Sequence, residues 1–274
     1  TGGHNTAVGQ CALSNNTTAS YNAAFGSCAL FANTDGAENT ASGYASLKCN
    51  TTGDSNTAHG YHALLCNSTG CWNTGLGKSA LQNHSTGHGN VAVGKGAMQG
   101  STTGSDNVGI GACALLVTTT AGENVAIGQR SMCSNTTGTT NVAVGQQTLV
   151  KNTTAANNTA IGKSSLHDNT TGAANTAVGR SALNANTTGA CNVAVGCSAL
   201  VTATTAGQNV AIGVCSMYAT TSGDNNTSIG TLSMCSNTTG TNNVAVGVYS
   251  LRANTTASAN TAVGRESLRQ ATTG

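Results

Sequence analysis

The chain has 274 residues, of which 7% are charged and 3% aromatic, with 36 glycines and no proline. That composition lies far from globular averages, and a formal net charge of +2 supplies no basic field to draw in a nucleic acid or an acidic membrane surface. No apolar run is long enough to span a bilayer, so no membrane insertion is expected of this segment.

An Asn recurs every seventeen residues from Asn5 to Asn260, with no insertion or deletion, which makes sixteen copies of one unit. Counting that Asn as position one, the unit reads N-[TV]-A-[VI]-G-x-x-[AS]-[LM]-x-x-x-[TS]-T-[GA]-x-x. Gly, Asn and Thr dominate it and are poor helix formers. The run at positions two to four alternates like a short strand, with two and four on one face and the small position three on the other. An exact period of this length predicts an all-β parallel β-solenoid with one coil per repeat, because one inserted residue would turn every later side chain to the wrong face. A second short strand is expected around positions seven to nine and a third at the Thr-Thr pair. Residues 1–274 form a single array. Both ends match the interior phase of the repeat, so the array is expected to be a segment of a longer one.

Stacking converts positions into columns. Leu or Met at position nine and Val or Ile at position four are expected to line the interior. The position-one Asn is expected to form an amide ladder, as stacked Asn does in cross-β structures. Position three, Ala in most repeats, then lies outside. A smooth column of small residues lets another chain approach closely, so Ala126, Ala143, Ala160, Ala177 and Ala194 are the candidate oligomer contacts.

Along the chain, the first five coils are the least regular. Position four reads Val8, Phe25, Ser42, His59 and Leu76, and position six stacks Tyr44 on Tyr61. Tyr44, Tyr61, His62 and Trp72 suggest a ligand-binding patch, set against ordinary drift with a simple Tyr ladder. His59 and His62 lack a third ligand at a useful spacing, so no metal is expected. Later coils are nearly uniform, and SMCSNTTGTTNVAVG at 131–145 recurs as SMCSNTTGTNNVAVG at 233–247. Lys78, Lys95, Lys163, Arg180 and Arg265 form a sparse basic column at position six, read as a solvated face.

Cys11 and Cys28 share position seven in adjacent coils, and Cys49 and Cys66 share position eleven. Coils about 4.8 Å apart bring their Cα atoms inside disulfide range, which makes both pairs disulfide candidates and favours an oxidising compartment. Position twelve opens an N-x-[ST] sequon at Asn16, Asn50, Asn67, Asn135, Asn152, Asn169, Asn186, Asn237 and Asn254, the candidate glycosylation sites. No acid pair is placed for proton transfer, and uniform repeats lack the one dissimilar place an enzyme needs. The chain is therefore expected to be non-enzymatic, with no catalytic residue, cofactor or metal.

Asn124-Val125-Ala126-Ile127-Gly128 and its copies resemble the YadA-like head repeats of trimeric autotransporter adhesins, and similar arrays occur in phage and virus tail-fibre proteins. The resemblance implies parallel β-rolls, association of three chains and projection from a surface to bind a host. This chain departs in its longer coil with the Asn-Thr-Thr-Gly arm and shows no neck, stalk or anchor. The expectation is an extracellular structural fibre or adhesin shaft at a cell or virion surface. It would self-associate as a homotrimer or filament and present a surface to a host receptor or glycan. The alternative is an ice-binding solenoid using its Thr columns, although adjacent Thr-Thr puts the two hydroxyls on opposite faces.

Overall fold

The computed structural model describes residues 2–272. The chain is an all-β parallel solenoid of sixteen three-residue strands, β1 (Thr6–Val8) to β16 (Thr261–Val263). It divides into two compact units, residues 1–137 and 138–274. The first unit holds β1 to β8 (Val125–Ile127) and the second β9 (Val142–Val144) to β16. Within each unit every strand pairs in parallel with the strand seventeen residues on, as in Val91↔Val108 and Val193↔Val210.

Each coil contains one strand, at positions two to four. The expected strands at positions seven to nine and thirteen to fourteen are turns and bends instead. The reason lies in the backbone. Position five is a Gly with φ from 118° to 138°, and positions seven, nine and seventeen are left-handed, as at Ser79 (59°), Leu81 (51°) and Trp72 (58°). A left-handed residue ends a strand, because it turns the next peptide out of the pleat. Glycine at position five is also a packing requirement. A Cβ on Gly26 would stand 2.5 Å from the carbonyl oxygen of Gly43.

The left-handed position nine swings its Leu or Met into the coil. Leu81, Met98, Leu115 and Met132 in the first unit, and Leu149 in the second, are fully buried, as the column argument expects. Facing them is position three. Ala126, Ala143, Ala160, Ala177 and Ala194 are all 0% exposed, so they are core residues and touch no other chain. The strand alternates as expected, but its faces are the reverse of the expectation: position three is inside and position four outside. Position four points outward, with Ile127 37% and Ile161 40% exposed.

The geometry of the coil explains the inversion. It is one strand wide, and the Leu or Met of position nine already fills the space behind that strand. A Cβ on Gly75 would lie 3.3 Å from Leu64 Cγ, and one on Gly109 would lie 2.8 Å from Met98 Cγ. The interior therefore admits a methyl group at position three and nothing as large as Val or Ile.

Candidate functional site

Two ladders of asparagine run through each unit. At position one, the backbone N–H of Asn22 donates to Asn5 Oδ1 (2.8 Å), and Asn56 Nδ2 donates to Asn39 Oδ1 (3.1 Å). This is the expected amide ladder. The second, at position twelve, is built from the sequon asparagines. Asn50 Nδ2 donates to Asn33 Oδ1 at 2.8 Å and to the Gly53 carbonyl at 2.9 Å, and Asn67 and Asn186 repeat the pattern.

That ladder removes the glycosylation candidates. Asn50, Asn67, Asn135, Asn152, Asn169, Asn186, Asn237 and Asn254 are 0% exposed. Asn16 is half-buried, with its Nδ2 on the Ala19 carbonyl. The nitrogen that would carry a glycan points into the coil, and a sugar there would prevent the coils from stacking.

The disulfide candidates also fail. Cys11, Cys28, Cys49 and Cys66 are free thiols. Parallel in-register stacking keeps equivalent Cβ atoms about 4.8 Å apart, whereas a disulfide needs about 3.5–4.5 Å. Burial, with a smaller effect from neighbouring Cys49, pushes the Cys66 thiol above its ordinary value. Arg180, donating from Nη2 to Cys197 Sγ at 3.3 Å, holds that thiol below the usual range.

The aromatic residues of the early coils do gather. Tyr44 and Tyr61 stack with centroids 5.4 Å apart at 15°, and His62 lies 3.9 Å from Tyr61. Trp72 stands apart from this stack and meets His88 at 6.1 Å instead. Burial is the main reason His62 titrates below its ordinary value, helped by the charges of Lys48 and Lys78. Lys78 Nζ lies 5.6 Å from the Tyr61 ring. Beside it opens a cavity of about 170 Å³ lined by Lys78, Ser79, Lys95, Gly96, Gln99 and Cys113. The basic column was legible in the sequence; the cavity was not, because it depends on a glycine at a position that usually carries a side chain. Among the described residues, no group of three or more His, Cys, Asp or Glu is arranged to hold a metal ion.

The outward sheet face repeats from coil to coil within each unit. Its two columns, positions two and four, contain no Lys, Arg, Asp or Glu in any coil. In the first unit they run through Val91, Val93, Val108, Ile110, Val125 and Ile127, and in the second through Val142, Val144, Val193, Val195, Val210 and Ile212. The Thr arm divides its hydroxyls. Position thirteen donates along the stack, as Thr34 Oγ1 does to the Thr51 carbonyl (3.2 Å) and Thr119 Oγ1 to that of Thr136 (3.0 Å). Position fourteen, including Thr103, Thr120 and Thr171, is exposed. Comparison with protein-family models, with curated proteins and with solved structures found no match for this chain.

Proposed function

We propose that the chain is a non-enzymatic structural element of an extracellular fibre or adhesin shaft at a cell or virion surface, and that it self-associates through its outward sheet face. The observation that carries this reading is the outward sheet face, free of Lys, Arg, Asp and Glu in every coil and bearing Val, Ile, Leu or Phe at position four in all but the third and fourth. Contiguous exposed apolar surface of this kind marks interaction sites. Every copy of the chain carries the same face, so a second copy is its natural occupant, in a homotrimer or a filament. The nearly uniform later coils support a structural role, since they offer many equal surfaces rather than one distinct site. The resemblance of Asn124-Val125-Ala126-Ile127-Gly128 to adhesin-head and tail-fibre repeats supports the same assignment.

Ice binding is the second reading, favoured by one observation, the exposed Thr column at position fourteen. Against it, the position-thirteen hydroxyls are engaged along the stack. One pair of measurements separates the two. Sedimentation velocity across a concentration series is expected to show concentration-dependent association. Freezing measurements are expected to show no thermal hysteresis. A monomer at every concentration that gives hysteresis, lost on replacing Thr103, Thr120 and Thr171 with Lys, would overturn the fibre reading.

A further inference from the structure

Eleven thiols are free, and one of them has surroundings unlike the rest. Cys197 occupies position six, in one column with Lys163 and Arg180 of the two coils before it. Arg180 Nη2 donates to Cys197 Sγ at 3.3 Å, and Ser198 Oγ lies 3.8 Å from the same sulfur. Among the described residues no carboxylate pairs with Arg180, so its charge is left to act on the sulfur. Arg180, with a smaller push from Ser198, makes Cys197 ionise more readily than an ordinary thiol. The thiolate, not the thiol, is the nucleophile.

A second thiol stands one coil on. Cys215 is at position seven, and its backbone N–H donates to the Cys197 carbonyl at 3.0 Å. These two differ in column as well as in coil, unlike Cys11 and Cys28 or Cys49 and Cys66. One coil repeat and one residue step put their Cα atoms about 6 Å apart, near the usual disulfide separation. Side chains at positions six and seven share one patch, since Ser27 Oγ lies 3.8 Å from Cys28 Sγ just as Ser198 Oγ does from Cys197 Sγ. Cys215 follows Ser198 in its column. Burial, and then the charges of Cys197 and Cys235, hold the Cys215 thiol above its ordinary value. Part of that restraint goes once Cys197 has reacted and carries no charge.

We infer that Cys197 and Cys215 form an exchange-active dithiol, which takes an anionic low-molecular-weight disulfide at Cys197 beside Arg180 and Lys163. The Cys197 thiolate attacks one sulfur of that disulfide, whose S–S bond breaks and releases one thiolate. Cys215 then gives its proton to solvent and attacks the Cys197 sulfur, displacing the second thiolate. The chain ends with one Cys197–Cys215 disulfide, oxidised by two electrons, and the reagent ends as two thiols, reduced by two. The dithiol goes beyond the fibre reading and does not depend on it, because positions six and seven lie past the glycine corner from the sheet face.

The test is brief exposure of the full, reduced chain to glutathione disulfide at neutral pH, followed by acid quench and peptide mapping by mass. Exposure alone would favour Cys11, Cys49 and Cys191, which are exposed where Cys197 is half-buried. The dithiol predicts that Cys197 reacts first and ends in a disulfide with Cys215. Cys215→Ser should stop with glutathione held on Cys197. It should fold, because Ser79, Ser164 and Ser181 hold position seven with φ of 57–59°. Arg180→Gln should slow reaction at Cys197 several-fold. That deficit should narrow as pH rises past about 8.5, the free thiol value, where the sulfur is a thiolate with or without Arg180. The preference for Cys197 over Cys191 should be smaller with cystamine, a cationic disulfide. First reaction at another cysteine, an unchanged rate in Arg180→Gln, or an equal preference with cystamine would each overturn the dithiol. So would glutathione retained on Cys197 of the unmodified chain.

Discussion

A position-twelve asparagine donates through Nδ2 to the preceding coil and accepts through Oδ1 from the following one. One missing amide therefore strands the oxygen before it. The buried Oδ1 atoms of Asn67, Asn186 and Asn254 have no hydrogen-bond partner, and the next residues in their column are His84, Ala203 and Ala271. A stranded buried acceptor costs about 1–3 kcal/mol. Ala203→Asn should therefore raise stability by about 1 kcal/mol in urea unfolding, since the new Nδ2 would reach Asn186 Oδ1. A loss of stability would contradict the ladder account.

His84 breaks the same column in a way that depends on pH. Its ring is buried, with Nε2 2.9 Å from the Gly87 carbonyl and Nδ1 3.4 Å from Ser101 Oγ. Burial holds its pKa below the ordinary histidine value, outweighing the Gly87 carbonyl, with His88 adding a smaller push the same way. The unfolded chain then binds a proton that the folded chain refuses, so stability rises with pH over this window. Stability is lost as pH falls from about 6.5, the free histidine value, toward the lowered folded value. His84→Asn should flatten this part of the pH–stability curve and also satisfy Asn67 Oδ1. An unchanged slope would show that the loss arises elsewhere.

At the scale of the coil, one strand and three left-handed residues set every direction. The small position three faces the Leu or Met column with no spare volume. Ala160→Leu should destabilise by about 1–3 kcal/mol through overpacking, while Ile161→Thr, one residue along and outward, should stay within about 0.5 kcal/mol. Equal costs would mean that both residues are packed alike. The same stacking keeps the thiols apart. Cys11, Cys28, Cys49 and Cys66 should all react with a thiol reagent in unfolded, unreduced protein, and a missing pair would contradict the rung geometry.

Much of this was legible in the sequence. The period gave the coil, the Asn and Leu columns and the parallel register, because an exact repeat leaves no other pairing. The direction of the strand face was not legible. Alternation at positions two to four separates two faces without saying which is inside, and hydrophobicity pointed to Val and Ile. The left-handed backbone at Leu81 and its copies decided otherwise, and nothing about leucine announces that conformation. The sequons misled for a related reason, since N-T-T reads alike whether its amide faces water or the next coil. The cavity at Gly96 rests on an absent side chain, which pattern reading passes over in a chain this rich in glycine.

For the whole molecule, charge is sparse, and the outward sheet face carries none in any coil. That is the surface on which the proposed association rests. The most direct test is one multiple variant, Ile110→Glu and Ile127→Glu in the first unit with Ile161→Glu and Ile212→Glu in the second. It should be compared with the unmodified chain by circular dichroism and sedimentation velocity. These side chains are 37–40% exposed, so the variant should keep its β spectrum. It should also sediment as a monomer at concentrations where the unmodified chain associates, because like charges would meet across the shared face. A variant that unfolds would place position four in the core, and one that stays folded and still associates would move the contact to another face; either result contradicts the account.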